Sequence, residues 1–421
     1  MSLSDIVRRL ESAASTAFVG SKTLLGLDTN PVPSEWDHIT KVDPEGEKRL
    51  PLAYPLYLSQ TSAVSVGGSR DVTYRNTEET FDLVNMADVP AFHEPSAASH
   101  VTDRTREQGE FLAVPEVLNG DSQALVGTLG EGIDYVREEL SSAIVEDKLG
   151  VSLDGLFGDR VGNFAAGYMM QQAVFEAYII MNLDSAAARE ANVTEDDLID
   201  PETAKQRALA AEYHLDSEVI YLEYSGRFGG EEALDILEAI DDAVTWPRLW
   251  YGGGLDSREN VNAVRDAGAD AVVVGDVFHD IAEEERKLFR LAVDEFATPP
   301  AADDLRAFLA GAVDIEETSA ARYLSTVPSV TEPAATAAEY LVAGVGIALS
   351  LREVAAELSD PDERDIERAL ASDGIPGEAA FADVLGGGAG TVARTLGHGL
   401  LAERFDVDEP SAAGRHLALD L

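Results

Sequence analysis

The chain contains no cysteine among its 421 residues. This absence excludes disulfide bonds, thiolate nucleophiles and the zinc or iron–sulfur sites that cysteine ligands would build. No apolar run reaches the roughly 18 residues that a membrane-spanning helix needs. The N-terminus also lacks the long apolar core of a secretory signal. We therefore expect a cytoplasmic protein.

Positive charge is scarce as well. Only 31 Lys and Arg residues face 78 Asp and Glu residues, and the formal net charge is -47. The carboxylates are spread along the whole chain, which favours a protein adapted to molar salt, where the Debye length is about 3 Å and self-repulsion is screened. An ordinary acidic protein is the alternative. Such a surface argues against nucleic acid as a partner, because phosphate backbones are bound by basic patches.

Apolar residues are plentiful, at 45% of the chain, so a large core can form. They fall into short runs of the kind expected for strands buried on both faces. Helical patterns separate the later runs, which indicates parallel βαβ units, and eight such strands fit a TIM-type (β/α)8 barrel over residues 34–297. An open doubly wound sheet is the alternative. The runs are HITKVD (38–43), AVSVGG (63–68), VPAFHE (89–94), FLAVPE (111–116), AYIIMN (177–182), VIYLEY (219–224), RLWYGG (248–253) and AVVVGD (271–276).

The segments on either side of the barrel are predicted to be helical. Residues 2–15 suit a short amphipathic helix within an N-terminal extension, 1–33. After the proline-containing ATPPAADD, residues 300–421 suit an all-α C-terminal appendage. Its apolar stretch YLVAGVGIALSL could pack on the barrel, pair with another subunit or lie at a membrane interface. Within the barrel, the long link 117–176 has Met and Phe spacing typical of core packing, and it could also line an apolar groove.

Two charged residues lie at the end of the first predicted strand. Lys41 and Asp43 are two positions apart, so on a strand they share a face and both can look into the barrel. The carboxyl ends of barrel strands carry the active site. Asp43 suits Mg²⁺, which prefers oxygen ligands and keeps several waters; capping a turn is its alternative role. The sequence thus predicts a magnesium site here, with a diphosphate completing the metal shell.

Phosphate-binding features follow the last three predicted strands. Glycine lets the backbone approach an anion, and exposed N–H groups at such turns bind phosphate. TIM barrels often bind phosphate after strands 7 and 8; tight turns alone are the alternative. The strand ends are YSG with Ser225 and Gly226, YGGG with Gly253 and Gly254, and VVGD with Gly275 and Asp276.

These strand ends belong to a series of motifs in a specific order. WDHITKVDP, SVGGS, FHEPS, VPEVLN, YLEYSG, YGGGLDS and AGADAVVVGD resemble the geranylgeranylglyceryl phosphate synthase family and the related heptaprenylglyceryl phosphate synthases over roughly residues 34–290. The resemblance implies Mg²⁺-dependent transfer of a prenyl chain from geranylgeranyl diphosphate to sn-glycerol 1-phosphate, with pyrophosphate released. This reaction forms the first ether bond of archaeal membrane lipids. The resemblance also implies a homo-oligomer, and a peripheral membrane contact for the product.

The resemblance carries roles onto matching positions. Asp43 and Ser69 would bind Mg²⁺, with Ser69 and Lys41 at the substrate. Tyr221 and Glu223 would hold the glycerol hydroxyls and act in catalysis, since a carboxylate can orient the attacking hydroxyl and accept its proton. The residues that would hold the glycerol phosphate are Ser225, Gly226, Gly253, Gly254, Gly275 and Asp276.

Several positions depart from the family pattern. Asp276 stands where asparagine is usual and disfavours an anion, while Arg70 and Arg227 follow the serine and glycine turns and could replace lost phosphate contacts. These departures leave two alternatives open: a barrel enzyme using another prenyl length or phosphorylated polyol, and a non-catalytic paralogue that binds lipid or a partner. The histidines lack metal-binding spacing and are predicted to pack or to lie at the surface, and His93 is the one among them that could reach the pocket.

Overall fold

The computed structural model describes most of the chain. The predicted helix over residues 2–15 lies outside the described residues, as do Ser69, Arg70 and Asp276. Residues described are 27–68, 71–141, 144, 159–275, 277–371, 378–407 and 412–421.

Eight parallel strands form a closed barrel in sequence order. The barrel closes where β1 pairs with β8, with Ile39 opposite Val273. The predicted TIM-type barrel is therefore confirmed, and the open-sheet alternative is wrong. The strands are β1 His38–Val42, β2 Ala63–Gly67, β3 Ala91–Glu94, β4 Leu112–Val117, β5 Ala173–Ile180, β6 Val219–Glu223, β7 Arg248–Gly252 and β8 Ala271–Val274.

The fifth strand begins earlier than its sequence indicates. The apolar run predicts a start at Ala177, but pairing with β4 begins at Ala173, opposite Leu112. Glu176 interrupts the apolar pattern, although it is only 1% exposed. A buried acidic residue in a strand interior thus concealed half of this strand.

Alternate residues of the strands face the barrel interior. Trp250 packs there against two other rings. Its ring centroid lies 6.4 Å from that of Tyr221 and 5.8 Å from that of Phe92. Ile220 and Leu222 face the opposite way and join the outer apolar layer beneath the helices. This alternation decides which polar side chains can reach the site.

Helices cover the outside of the barrel. Serine and threonine caps begin several of them: the side chains of Thr73 and Ser257 accept the N–H groups of Asn76 and Asn260. The barrel helices are Tyr54–Leu58, Tyr74–Val84, Asp103–Gln108, Thr128–Tyr135, Asp159–Gln172, Ala186–Glu190, Pro201–Ala210, Gly230–Asp241, Arg258–Asp266 and Phe278–Glu295, with π-helical turns at Gln123–Gly127, Val136–Leu140 and Ala211–Leu215.

The described part of the β4–β5 link has its own small core. Met169 is 4% exposed and packs with Val136 and Ala165, as its spacing predicts. Phe164 is 43% exposed and stacks on Tyr168 with ring centroids 6.4 Å apart. One face of the helix Asp159–Gln172 is therefore core, and the other presents aromatic surface.

The C-terminal region is helical, as predicted. One of its helices, Pro333–Glu357, is the only one in the described part of the chain that is long and apolar enough to cross a membrane, but 67% of its most apolar window is buried inside the protein. It shares one continuous apolar cluster with the outer layer of the barrel. The domain boundaries 1–33, 34–297 and 300–421 stay predictions. The C-terminal helices are Ala302–Ala312, Ser319–Thr326, Pro333–Glu357, Glu363–Ala371, Glu378–Leu385, Ala389–Arg404 and Ala412–His416.

Candidate active site

Charged side chains from β1 and β3 meet at one side of the barrel mouth. The ammonium group of Lys41 donates to both carboxylate oxygens of Glu94, each at 2.9 Å. Tyr178 on β5 donates to Glu94 Oε1 at 2.7 Å, and Ser65 on β2 donates to Oε2 at 2.9 Å. We call Lys41, Asp43 and Glu94 the charged half of the site.

The Lys41–Glu94 pair is ionised. Burial alone would lower the pKa of Lys41, but the carboxylates of Glu94 and Asp43 outweigh it and raise that pKa above its usual value. Burial alone would raise the pKa of Glu94, but the charge of Lys41 and the hydrogen bonds that Glu94 accepts from Tyr178, Lys41 and Ser65 lower that pKa below its usual value. The side chain of Lys41 keeps 25% of its surface exposed, so its charge still reaches the mouth of the barrel.

Asp43 lies against the end of β2. A Cβ atom added to Gly68 would lie 2.8 Å from Asp43 Cγ and 3.0 Å from each carboxylate oxygen, so a side chain at position 68 would displace the Asp43 carboxylate. Within the residues that the structure describes, no group of three or more acidic or histidine side chains is placed to hold a metal. A Mg²⁺ ion at Asp43 would take its other ligands from water and substrate phosphate, which is how enzymes usually bind it. The donor set fits Mg²⁺ on that condition.

A second carboxyl group lies below the charged half. Glu176 points into the barrel, and neither of its oxygens has a hydrogen-bond partner among the described residues. The single hydroxyl proton of the adjacent Tyr178 goes to Glu94. Burial raises the pKa of Glu176 well above its usual range, and the charge of Glu94 adds to that effect. Burial and the nearby charge of Glu94 therefore both favour the protonated, neutral form of Glu176.

The opposite side of the mouth is formed by β6 and β7. Tyr221 and Glu223 both point inward and are 4% and 2% exposed. Burial raises the pKa of Glu223, and its hydrogen bonds with Ser225 oppose that shift. Ser225 N donates to Glu223 Oε1 at 3.2 Å, while Oε2 has no partner in the described part of the chain. A Cβ on Gly252 would lie 2.0 Å from the Tyr221 hydroxyl, so this glycine makes room for the ring.

Glycines in special conformations complete this side. Gly226, Gly253 and Gly254 have φ values of 88°, 156° and 52°, which side chains rarely adopt. Gly254 is also tightly enclosed, because an added Cβ would lie 2.2 Å from Phe228 N. We call Tyr221, Glu223, Ser225, Gly226, Gly253 and Gly254 the glycine half of the site.

The two halves meet at β8. A Cβ on Gly275 would lie 3.5 Å from Lys41 Cβ, so Gly275 lies beside the charged half as well as next to β7. The structure thus brings together the predicted residues Lys41, Asp43, Tyr221, Glu223, Ser225, Gly226, Gly253, Gly254 and Gly275. The predicted residues Ser69 and Asp276 lie outside the described residues.

The structure also places Arg227 and His93. The guanidinium of Arg227 lies 5.4 Å from the centre of the outward-facing Tyr224 ring and donates to Met181 O at 3.3 Å; a contact between Arg227 and phosphate stays a prediction. His93 does not reach the pocket, because Glu94 next to it points inward and strand alternation turns His93 outward. It packs edge-on against Phe81 at 5.7 Å.

Sequence reasoning gave no role to several residues of the site. Glu94 is the last residue of the third predicted strand, and the alternation that places Lys41 inward also indicates inward positions for Ser65 and Glu94. Asn182 donates to Ser225 O at 2.5 Å and so supports the turn after β6. No sequence signal connects those two residues, which are 43 positions apart.

Known proteins match most of the barrel. Residues 33–293 match the PcrB family. The geranylgeranylglyceryl phosphate synthase of Haloquadratum walsbyi is 29% identical over 252 residues, which are 59% of this chain and 89% of that protein. The enzyme of the same name from Natronomonas pharaonis is 30% identical over 254 residues, covering 59% and 90%. The family match ends at residue 293, before the C-terminal region.

The chain also matches a solved structure. It is (S)-3-O-geranylgeranylglyceryl phosphate synthase from Thermoplasma acidophilum in complex with sn-glycerol-1-phosphate. Sequence identity is 19%, the TM-score is 0.42, and the match covers 58% of this chain and 86% of that one.

Proposed function

Because the chain belongs to the PcrB family, we propose that it transfers the prenyl group of geranylgeranyl diphosphate to a hydroxyl of sn-glycerol 1-phosphate, with Mg²⁺. The shared name of its curated relatives makes it an enzyme of the prenyltransferase class. The observation that carries the proposal is a single barrel mouth with a charged half on one side and a glycine half on the other.

The glycine half suits the acceptor. Glycine turns such as Gly226 and Gly253–Gly254 let main-chain N–H groups approach a phosphate closely. Tyr221 and Glu223 lie just below these turns and offer a hydroxyl and a carboxyl group to the glycerol hydroxyls. Gly275 and the main-chain N–H of Asp276 would complete the phosphate contacts, with the Asp276 carboxylate pointing away from the anion.

The charged half suits the donor. Lys41 presents a stable positive charge to a diphosphate, and Asp43, with Ser69, would hold Mg²⁺ between the protein and that diphosphate. When bound, the ion neutralises the leaving group and so lowers the barrier to its departure. Glu94 holds the ammonium group of Lys41 at 2.9 Å and thereby fixes its position.

The reaction balances with one protein base. The bond between the prenyl carbon and the diphosphate oxygen breaks, and the electron pair leaves with the diphosphate. The acceptor oxygen forms the new ether bond to the allylic carbon that this leaves electron-poor. Glu223 Oε2, which has no partner among the described residues, accepts the hydroxyl proton. The raised pKa of Glu223 makes it a better proton acceptor than an exposed glutamate.

A product assay tests this function. The full chain is incubated in molar KCl with radiolabelled geranylgeranyl diphosphate, sn-glycerol 1-phosphate and Mg²⁺, and the lipid product is extracted and identified. We expect geranylgeranylglyceryl phosphate, loss of turnover with EDTA, and a rate at least about tenfold lower with sn-glycerol 3-phosphate.

Different donors separate the alternatives. Farnesyl and longer prenyl diphosphates are offered in parallel under the same conditions. A preference for one of them would correct the donor and leave the reaction class unchanged. If no prenyl diphosphate gives any ether product, the proposed function is wrong and a binding role for the barrel takes its place.

A further inference from the structure

The first crossover connection of the barrel, between β1 and β2, contains unusually little helix. TIM barrels follow each strand with a helix that covers the outer face. Between β1 and β2 there is only Tyr54–Leu58, a five-residue helix whose residues are all buried. The later connection from β6 to β7, by comparison, carries the twelve-residue helix Gly230–Asp241. Something else must cover the outside of β1.

Helices from the C-terminal region cover this face. Tyr323 and Thr326 belong to Ser319–Thr326, and they bond directly to outward side chains of β1. The hydroxyls of Tyr323 and Thr40 lie 2.8 Å apart, and Thr326 Oγ1 lies 3.0 Å from His38 Nε2. These contacts are buried, so they fix β1 against the C-terminal region.

The long helix Pro333–Glu357 fastens the connection that follows β1. Its Tyr340 packs edge-on against Tyr57 with ring centroids 5.2 Å apart. Its Gly344 lies against Glu285, where an added Cβ would be 2.1 Å from the carboxylate. Glu285 in turn accepts the main-chain N–H groups of Leu52 and Ala53, at 2.5 Å and 3.2 Å. The connection is thus clamped between the last barrel helix and the C-terminal region.

The last residues of the chain bind the loop that carries Asp43. Leu50 N donates to His416 O at 2.7 Å, and Ala418 N donates to Leu50 O at 2.9 Å, which forms a parallel bridge between Leu50 and Leu417. We call residues 415–418 the tail clamp. Because these are hydrogen bonds between main-chain atoms, they fix the backbone conformation of the loop at Leu50.

The tail clamp also reaches the helix that follows β2. Arg415 and His416 contact Glu79 of Tyr74–Val84, at 2.5 Å and 3.1 Å. His416 Nε2 lies 3.3 Å from Lys48 Nζ, and Lys48 donates to Glu45 O at 2.9 Å. The clamp therefore joins the loop after β1 to the helix after β2, and Asp43 and Gly68 lie at the starts of those two connections.

We propose that the C-terminal region takes the place of the first crossover helix of the barrel, and that its tail clamp positions the Asp43 loop for the divalent ion and the prenyl diphosphate. The inference rests on the proposed function for its chemistry and on the clamp contacts for its geometry. The clamp residues act through Asp43 and do not touch substrate, so they are positioning residues. The glycine half, held by β6–β8, does not depend on them.

The test removes one main-chain hydrogen bond, from Ala418 N to Leu50 O, in the full chain. Ala418→Pro removes the N–H that donates to Leu50, and the control Asp420→Pro places the same residue at an exposed position two residues further on. Hydrogen exchange of residues 43–53 and 219–226 is measured, together with the Mg²⁺ activation constant and the KM of each substrate. We expect faster exchange in 43–53 alone and a Mg²⁺ activation constant raised at least about fivefold, with the KM for glycerol 1-phosphate unchanged.

A second variant covers the case in which Ala418→Pro does not fold. Glu79→Gln removes the carboxylate that holds Arg415 and His416, and its control is Glu78→Gln, whose carboxylate accepts from Thr102 instead. We expect the same pattern, with faster exchange and a raised Mg²⁺ activation constant for the charged half only, and with fold-changes about half as large as those of Ala418→Pro.

The outcomes separate this inference from the proposed function. Unchanged exchange in 43–53 overturns the inference, and so does faster exchange with unchanged Mg²⁺ and donor constants. If the wild-type chain makes no ether product, the proposed function fails, and the clamp is then judged by exchange and by Mn²⁺ binding at Asp43 alone.

Discussion

The two halves of the site are built by different means. The glycine half consists largely of main-chain turns after β6 and β7, and its conformation is set locally by residues such as Gly253 and Gly254. The charged half consists of side chains from β1 and β3 held by partners that are distant in sequence: Lys41 and Glu94 are 53 positions apart. A site made of turns depends on its own glycines, whereas a site made of paired charges depends on everything that positions the pair.

Removing the predicted metal ligand tests the charged half most strongly. Asp43→Ala deletes the carboxylate beside Gly68, and because a bound metal contributes several kcal/mol to charge stabilisation, we expect turnover to fall about 1000-fold. Steady-state rates over a range of Mg²⁺ concentrations provide the measurement, and Glu47→Gln in the same loop is the control. Turnover within tenfold of wild type would remove Asp43 from the metal site.

Replacing the base tests the glycine half. Glu223→Gln keeps the shape of the side chain but cannot accept a proton, so we expect kcat to fall about 100-fold. In the wild type, the rate should rise with pH as Glu223 loses its proton, at a pKa above its usual value because the group is buried. The variant should lose that dependence. Glu231→Gln, on the exposed face of the following helix, serves as the control, and a normal pH profile in Glu223→Gln would contradict the assignment.

Separating Lys41 from its partner sharpens the comparison. Glu94→Gln leaves Lys41 partly buried without a carboxylate, so its charge is less favourable and its position less fixed. We expect the KM for the prenyl diphosphate to rise about 30-fold and the free energy of unfolding to fall by about 2 kcal/mol. Substrate-saturation curves and chemical denaturation measure the two effects. A rise in the KM for glycerol 1-phosphate of the same size would mean that the halves are not separate.

Adding a methyl group at Gly254 tests whether the conformation of the turn after β7 matters for binding of glycerol 1-phosphate. In Gly254→Ala the residue keeps a positive φ and its Cβ meets Phe228 N at 2.2 Å, so the loop must move, and we expect the KM for glycerol 1-phosphate to rise about tenfold. Gly230→Ala is the matched control, since Gly230 also has a positive φ, at 61°, but an added Cβ there meets no atom within 4 Å. Equal effects from the two substitutions would show that the close contact between Gly254 and Phe228 does not matter.

Mild acid should loosen the charged side first. Burial lowers the pKa of His38 to about 3 and those of His93 and His416 to about 4, and all three lie beside β1, β3 or the tail clamp. The unfolded chain binds these protons near pH 6.5, so stability is fully present above that pH and is lost as the pH falls toward 4. Hydrogen exchange at pH 5 should rise more in residues 38–53 than in 219–226. Equal rises would contradict this difference.

The glycine half could be predicted from the sequence because its signals are local. YLEYSG and YGGG give both the residue types and the backbone conformations of the turns, and the structure has Gly226, Gly253 and Gly254 at positive φ. The inward placement of Lys41 also followed from strand alternation alone.

The rest could not be predicted, because it depends on contacts between distant residues. The hydrogen bond from Tyr178 to Glu94 spans 84 positions, and that from His38 to Thr326 spans 288. The inward Glu176 even disguised the start of β5. The attachment of the C-terminal region to β1 has no sequence signal beyond a short first crossover.

Crystals soaked with Mn²⁺, pyrophosphate and sn-glycerol 1-phosphate in saline solution test the division of the site most directly. The anomalous signal of Mn²⁺ locates the metal without ambiguity. The account predicts an anomalous peak bonded to the Asp43 carboxylate with pyrophosphate beside Lys41, and a separate phosphate at the N–H groups around Ser225 and Gly254. Manganese beside Glu223, or both anions on the same half, would contradict it.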